Sequence, residues 1–361
     1  MFAAIVTKIL ASAFVGLVAV TGSASADEFA TSPARPGYEA SDRILSFARR
    51  TELQEQRGFK LEGTYAFEMF AAPQLADRFT TGGLFMVELD IDMSLFANAH
   101  LGALRVSTVS THGGSPSVEL MDVHGSSGNT APQDNRVFEA YYEQPFGHFA
   151  VRAGILAVDQ EYNYADPTST LLGATFGITS QFSYNVGGPT YPVGTPGISA
   201  RYEDGPVLLQ AAVYDGTQEN TRGIPTALGP ERLVLAEATW NRDIGVGAWH
   251  HSDRGNGIYA TLDHKLDDMF EAFTRIGLSP HGVKTYLDAG VRVGPGPLPM
   301  RPDDFFSVGM AFAQLDEGDQ LLAEATYEAQ IRWLTIQPAM QLMMFRERTV
   351  GILATRFTVV F

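Results

Sequence analysis

Sixteen stretches of this chain, each about ten residues long, alternate apolar and polar side chains at every second position. A period of two belongs to the β-strand, whose successive side chains leave opposite faces. In 285–293, Leu287, Ala289, Val291 and Val293 share one face, while Tyr286, Asp288, Gly290 and Arg292 share the other. In 321–331, Leu321, Ala323, Ala325, Tyr327, Ala329 and Ile331 oppose Leu322, Glu324, Thr326, Glu328 and Gln330. The segment 334–342 sets Leu334, Ile336, Pro338, Met340 and Leu342 against Thr335, Gln337, Ala339 and Gln341. Residues 232–240 oppose Val234, Ala236, Ala238 and Trp240 to Glu237 and Thr239, and 137–144 oppose Phe138, Ala140 and Tyr142 to Glu139, Tyr141 and Glu143. Two features of the pattern argue for a membrane barrel. The apolar face is rich in Ala, which deformable lipid tails tolerate and a close-packed sandwich core does not favour. The polar face carries Glu, Arg, Gln and Asp well inside each strand, as a water-facing wall does. The competing fold is a soluble β-sandwich with its polar side outward, but so many ten-residue strands exceed its usual needs.

The expected strands run at 59–69, 83–93, 102–111, 137–144, 148–156, 197–203, 207–214, 231–241, 246–250, 257–265, 269–278, 284–293, 304–314, 320–331, 333–343 and 350–361. The fold class expected is therefore all-β: an antiparallel outer-membrane β-barrel over 59–361, of 16 strands, with a short N-terminal helix. Connections after even-numbered strands are short, as at "QPFG", "EDGP" and "RDIG", and those after strands 3, 5 and 7 are long. Only "GPGPLPMRPDD", after strand 12, is long on the short side. The last strand places Leu353, Phe357, Val359 and Phe361 outward, and Phe361 is the residue that barrel-insertion machinery would read.

The first 26 residues read as a signal peptide: Lys8, an apolar run from Ile9 to Val20, then Ala24-Ser25-Ala26. The run is too short to span a bilayer. Export to the outer membrane of a Gram-negative bacterium is expected. Residues 27–58 read as a loose lead-in followed by a short helix at 43–57, ended by Gly58. Removing Lys8 with the signal takes the formal charge from −16 to −17, a surface that repels nucleic acid. With no Cys there is neither a disulfide nor a thiolate ligand or nucleophile, and no cofactor is expected.

The phrases "GIYATLDHKL", "YLDAGVRVGPGPLPMRPDDFFSVGMAF", "WLTIQPAMQL" and "TRFTVVF" follow in order through 257–361. Fainter likeness runs back to Arg43 through "FEAYYEQPFGHFAVRAGIL" and "PGISARYEDGPVLLQAAVYDG". Together they resemble the carbohydrate-selective porin family, the OprB family. The resemblance implies a sixteen-stranded monomeric barrel in outer-membrane lipid that lets small sugars diffuse. Members of that family often begin with a Gly- and Trp-rich segment, whereas the first Trp here is Trp240.

A sixteen-stranded barrel encloses an aqueous channel, so selectivity rests on what narrows it and on its charge. The connection 157–196 is long enough to fold inward as a constriction loop. Its Asp159, Gln160, Glu161, Tyr162, Asn163, Tyr164 and Tyr184 offer hydrogen bonds and flat apolar faces to a sugar. The same tyrosines would equally serve as packing within the loop or as part of a membrane-boundary girdle. By parity Glu88, Asp90 and Asp92 face the lumen, as do Arg152, Arg201, Arg275 and Arg292. They would set up a transverse field, or else form wall ion pairs that only satisfy buried charge. Arg152 and Arg201 flank the long connection and are expected nearest the constriction. The net charge favours cations and neutral solutes over anions.

Other motifs carry less. His250 and His251 are adjacent in a strand and point apart, so they are a poor metal pair. "HGGS" at 112–115 lacks an accompanying G-x-S-x-G, and the prolines of "GPGPLP" remove amide donors that a phosphate would need. Two further classes compete: a barrel enzyme, which would need a Ser/His pair or acidic dyad at its rim, and a barrel plugged for a structural role.

Overall fold

The computed structural model describes residues 58–95, 101–217, 228–297, 301 and 303–361. The signal peptide expected at 1–26 and the helix expected at 43–57 lie outside the described residues. The strands are β1 Phe59–Ala71, β2 Phe79–Asp92, β3 Ala103–Gly113, β4 Asp134–Phe146, β5 Phe149–Leu156, β6 Thr195–Asp204, β7 Val207–Asp215 and β8 Arg232–Trp240. They continue as β9 Ile244–His251, β10 Gly255–Lys265, β11 Phe270–Leu278, β12 Thr285–Val293, β13 Phe305–Gln314, β14 Gln320–Ile331, β15 Leu334–Met344 and β16 Thr349–Val360. Every one of the sixteen falls where the alternation placed it. Each pairs antiparallel with its sequence neighbour, and β1 pairs with β16 to close the barrel.

Closure removes the free edges that a sheet of this size would otherwise expose. The seam runs from Thr64 opposite Val360 to Ala71 opposite Leu353. It continues one residue further, where Gly63 and Phe361 exchange backbone hydrogen bonds of 2.8 and 2.9 Å. A Cβ at position 63 would come within 2.6 Å of the Phe361 ring, so glycine makes the seat for that side chain.

The two faces divide as the period of two requires. Ile258 and Leu353 on the outward face are 57% and 59% exposed, while Arg275 and Asp288 on the inward face are 0% and 1% exposed. One strand departs. The register of β3 against β4 shifts between Ser107 and Thr108, so that Glu139 and Val137 are paired and Phe138 is passed over. This bulge turns Phe138 inward to pack with Leu84 and Val109. Phe138 is therefore not on the outward face with Ala140 and Tyr142, because an extra residue in one strand breaks the strict alternation.

At one end the connections are tight. Those at 147–148, 205–206, 241–243 and 332–333 turn on Gly147, Gly205, Asn241, Arg242 and Arg332, all with positive φ, the backbone that short hairpins need. The segments 93–102 and 294–304 are the longer connections at this end, the first against the expectation of a short one. At the other end lie 114–133, 157–194 and 216–231.

Candidate permeation pathway

The connection 157–194 enters the barrel and lies along the inward face of the wall. Its first leg is fixed by wall side chains that bond to its backbone. Glu237 on β8 accepts from the Asn163 amide at 2.9 Å, and Asp263 on β10 from the Asp166 amide at 2.7 Å. Gln337 on β15 donates to the Thr170 carbonyl at 2.7 Å, and Thr170 bonds Ser307 on β13 at 2.6 Å. Glu324 on β14 accepts from the amides of Leu172 and Gly173 at 2.5 and 2.9 Å. The segment then doubles back to β11, where Arg275 donates to the carbonyls of Asn163, Thr175 and Phe176 at 3.0–3.1 Å.

A second connection, 114–133, also turns inward. Ser127 donates to Glu68 on β1 at 2.7 Å, and Gln341 on β15 donates to the Ser126 carbonyl at 2.8 Å. Three backbone bonds tie the two connections together: Gly128 to Leu172, Ala174 to Gly125, and Thr175 to His124, at 2.8–3.0 Å. Nothing in the sequence marked 114–133 as inward-turning beyond its length.

The two connections convert part of the lumen into a core. Val158, Tyr162, Phe182 and Val186 pack with Leu156, Tyr214, Leu233, Leu235, Trp249 and Tyr259 of the wall. Leu120, Leu171, Leu172 and Phe176 pack with Phe273, Tyr286, Leu322, Met343, Val350 and Ile352. The expectation that inward residues are polar fails here for a physical reason. Where a loop fills the space no water remains, and close packing favours apolar side chains.

Of the wall charges expected from parity, Arg152 donates to Glu143 at 2.9 Å and to Glu161 at 2.6 Å, and lies over the Tyr141 ring. Glu161 also accepts from Ser199 at 2.7 Å. Arg275 bonds Asp288 through Nε at 3.0 Å, and Arg292 joins Glu271 at 2.8 Å to Asp166 at 2.9 Å. Glu88, Asp90 and Glu139 surround Arg105, whose Nη1 lies 3.4 Å from Asp90. Asp92 accepts from the amide and hydroxyl of Ser94 at 2.9 and 2.6 Å. Arg201 stands apart from Arg152's loop contact and pairs with Glu203 at 3.6 Å, close to the 205–206 turn.

The loop residues separate by exposure. Tyr162 is 1% exposed inside the apolar cluster and offers no surface to a solute. Asn163 is buried. Asp159, Gln160 and Tyr164 are half-buried. Tyr184 is exposed and sits against Gly282 in the connection between β11 and β12. Desolvation pushes the carboxyls of Asp159 and Asp166 up to about 6, in the latter against the pull of the Arg292 guanidinium. Burial holds the His124 imidazole down to about 4. Its Nε2 lies 3.3 Å from the Gln320 carbonyl, where the neutral ring donates. His250 faces outward, whereas His251 is buried inside and bonds the Gly216 carbonyl at 3.0 Å.

Parity exposed Glu237, Glu324, Gln337 and Gln341 as inward residues but gave no sign that they hold the loop. Glu68, Arg356 and Tyr191 carried no sequence signal beyond their places in the alternation and in the loop.

The model of the carbohydrate-selective porin, OprB family, matches residues 76–263, more than half of the 361. That span includes the "FEAYYEQPFGHFAVRAGIL" and "PGISARYEDGPVLLQAAVYDG" phrases and reaches only the start of the C-terminal ones. Among solved structures, Pseudomonas putida OprB in its high-pH form superimposes with a TM-score of 0.77 at 14% identity, over 87% of this chain and 96% of that one. Its low-pH form gives 0.57 at 14% identity, over 90% and 100%. A multiple mutant of Rh. blastica porin gives 0.57 at 10% identity, over 84% and 100%. No curated protein sequence matches the chain.

Proposed function

The chain belongs to the carbohydrate-selective porin, OprB family, and from that premise we propose that it is a non-enzymatic outer-membrane channel for passive diffusion of small sugars. The observation that carries the reading is the inward course of 157–194, bonded to wall side chains from Arg152 on β5 to Gln337 on β15, which narrows the lumen. Half-buried Asp159, Gln160 and Tyr164 are the loop groups we assign to solute contact. Hydroxyl-rich rings need both the hydrogen bonds and the flat apolar surface that such residues supply. Arg152, Arg275 and Arg292 we assign to holding the narrowing in place, since each bonds both wall and loop.

Gram-negative outer membrane is the location that the family and fold imply. Lipid meets the outward face, Phe361 is read by insertion machinery, and the barrel works as a monomer. The test is swelling of liposomes loaded with the purified protein. Monosaccharides and disaccharides should enter far faster than into protein-free vesicles, and absence of swelling would leave a plugged barrel instead. A second reading, a general cation-preferring pore, draws on the acidic excess of 41 Asp and Glu over 25 Lys and Arg. Reversal potentials under a salt gradient test the cation preference, and uptake of sugars beside uncharged solutes of equal size separates the two readings, because a general pore passes both alike.

A further inference from the structure

The wall formed by β16 and β1–β4 carries an arrangement to which nothing above assigns a role. Leu84 and Met86 on β2 lie in register with Thr111 and Val109 on β3. The next strand across sets Asp134 and Arg136 opposite Thr111 and Val109. Leu84, Val109 and the bulge residue Phe138 form an apolar strip with Met86 and Tyr191 packed on it. Tyr191 comes from the returning leg of 157–194 and meets Phe138 edge-on, with centroids 5.7 Å apart at 79°.

Tyr191 is fixed at both ends. Its amide donates to the Asp159 carboxylate at 3.3 Å, and its hydroxyl donates to the Asn129 carbonyl at 2.9 Å. It therefore links the two inward connections, yet it remains half-buried rather than enclosed. Charge pairs stand on either side of the strip. On one side Arg356 of β16 donates through Nε to Glu68 of β1 at 2.6 Å, with Ser127 bonded to the same carboxylate. On the other side Arg136 pairs with Asp134. Asn129, whose carbonyl takes the Tyr191 hydroxyl, follows two residues after Ser127, which bonds Glu68 and lies 3.3 Å from the Arg356 guanidinium.

A pyranose has an apolar face of C–H groups and a rim of hydroxyls. A partly buried aromatic ring on an aliphatic strip, edged by the Arg356 guanidinium that buried Glu68 holds in place, complements both parts. We propose that Tyr191, with Met86 and Leu84 below it and the Arg356–Glu68 pair at its flank, is the station that recognises the sugar ring in transit. The proposal rests on the diffusion-channel reading and names its specificity-determining residue.

The test compares glucose with sorbitol, an open-chain hexitol with nearly the same size and hydroxyl content. Full-length protein is placed in liposomes and the two uptake rates are measured. Wild type should favour glucose. Tyr191→Ala should lower that preference by about three- to tenfold, the worth of one aromatic contact, and Tyr191→Phe should keep it. Met86→Ala, which leaves the loop anchors in place, should lower it by about two- to threefold and covers the case of an unassembled Tyr191→Ala barrel. An unchanged ratio in Tyr191→Ala, with both uptakes rising together, would mean that the ring only obstructs, and overturns the station. Equal wild-type rates for the two solutes overturn the station while leaving the channel reading intact. No wild-type uptake of either solute overturns both.

Discussion

Toward the long connections, the inward faces of β8, β14 and β16 present Leu233, Leu235, Leu322, Val350 and Ile352, all buried. Toward the short turns, the same strands present Thr239, Glu328, Gln330, Arg356 and Thr358, which are half-buried or exposed. A single barrel thus has an interior with two solvents. In the first half the wall meets protein and behaves as a core. In the second it meets water and behaves as a surface. The same split sorts the arginines. Arg275 at the packed end donates to three loop carbonyls as well as to Asp288, whereas Arg201 and Arg242 near the turns only pair with Glu203. Inward-facing therefore does not mean pore-lining.

That contrast can be broken hardest at Arg275. Arg275→Ala leaves Asp288 buried without its charged partner, takes the guanidinium donor from the Asn163 and Phe176 carbonyls and leaves the Thr175 carbonyl to the Tyr286 hydroxyl alone. A loss of about 3–5 kcal/mol is expected. It should be read as a lower heat-unfolding midpoint and a rise in single-channel conductance as 157–194 comes away. Leu322→Ala should cost about 2–5 kcal/mol for emptying a fully buried site, while Thr335→Ala at the wet end should stay within about 0.5 kcal/mol. If chemical denaturation in detergent finds the two equal, the interior is not divided. Glu324→Gln keeps the shape that holds Leu172, Gly173 and Gln341 but loses the charge. About 1.5–3 kcal/mol is expected, with noisier open-channel current.

Glu328→Gln and Glu203→Gln, in the wet half, should leave unfolding within about 0.5 kcal/mol of wild type yet move reversal potentials toward anions. Acid acts on the two inward connections with opposite signs, so its net effect is a difference. His124 is neutral with its imidazole held near 4 from an ordinary 6.5, so the folded state refuses a proton that the unfolded chain takes. Stability of 114–133 is lost as pH falls from about 6.5 to about 4, and then levels. Asp159 and Asp166 act oppositely: their carboxyls, raised to about 6, gain stability for 157–194 as pH falls through that value. His124→Gln should therefore hold its current steadier than wild type over that range. A wild type equally steady would remove the role of His124.

The strands were legible because the signal repeats sixteen times and each repeat is local. Even the exceptional connection 294–304 stood out by its length. Phe138 was misassigned because a bulge depends on the partner strand's register, which one strand's sequence does not state. The site was legible only as a set of inward positions. Arg152, Arg275 and Arg292 followed from parity, whereas the lock formed by Glu324, Gln341 and 114–133 joins residues about 200 positions apart.

Alternation by itself determined sixteen two-faced strands, and the spacing between them one conspicuously long inward-capable connection. A strand's two faces are set by backbone geometry, and no distant residue is needed to read them. Which inward side chains stay exposed and which are sealed beneath a loop were settled by the tertiary structure. Those outcomes depend on where a flexible segment finds donors, acceptors and apolar surface across the barrel, a choice made jointly by strands far apart in the chain.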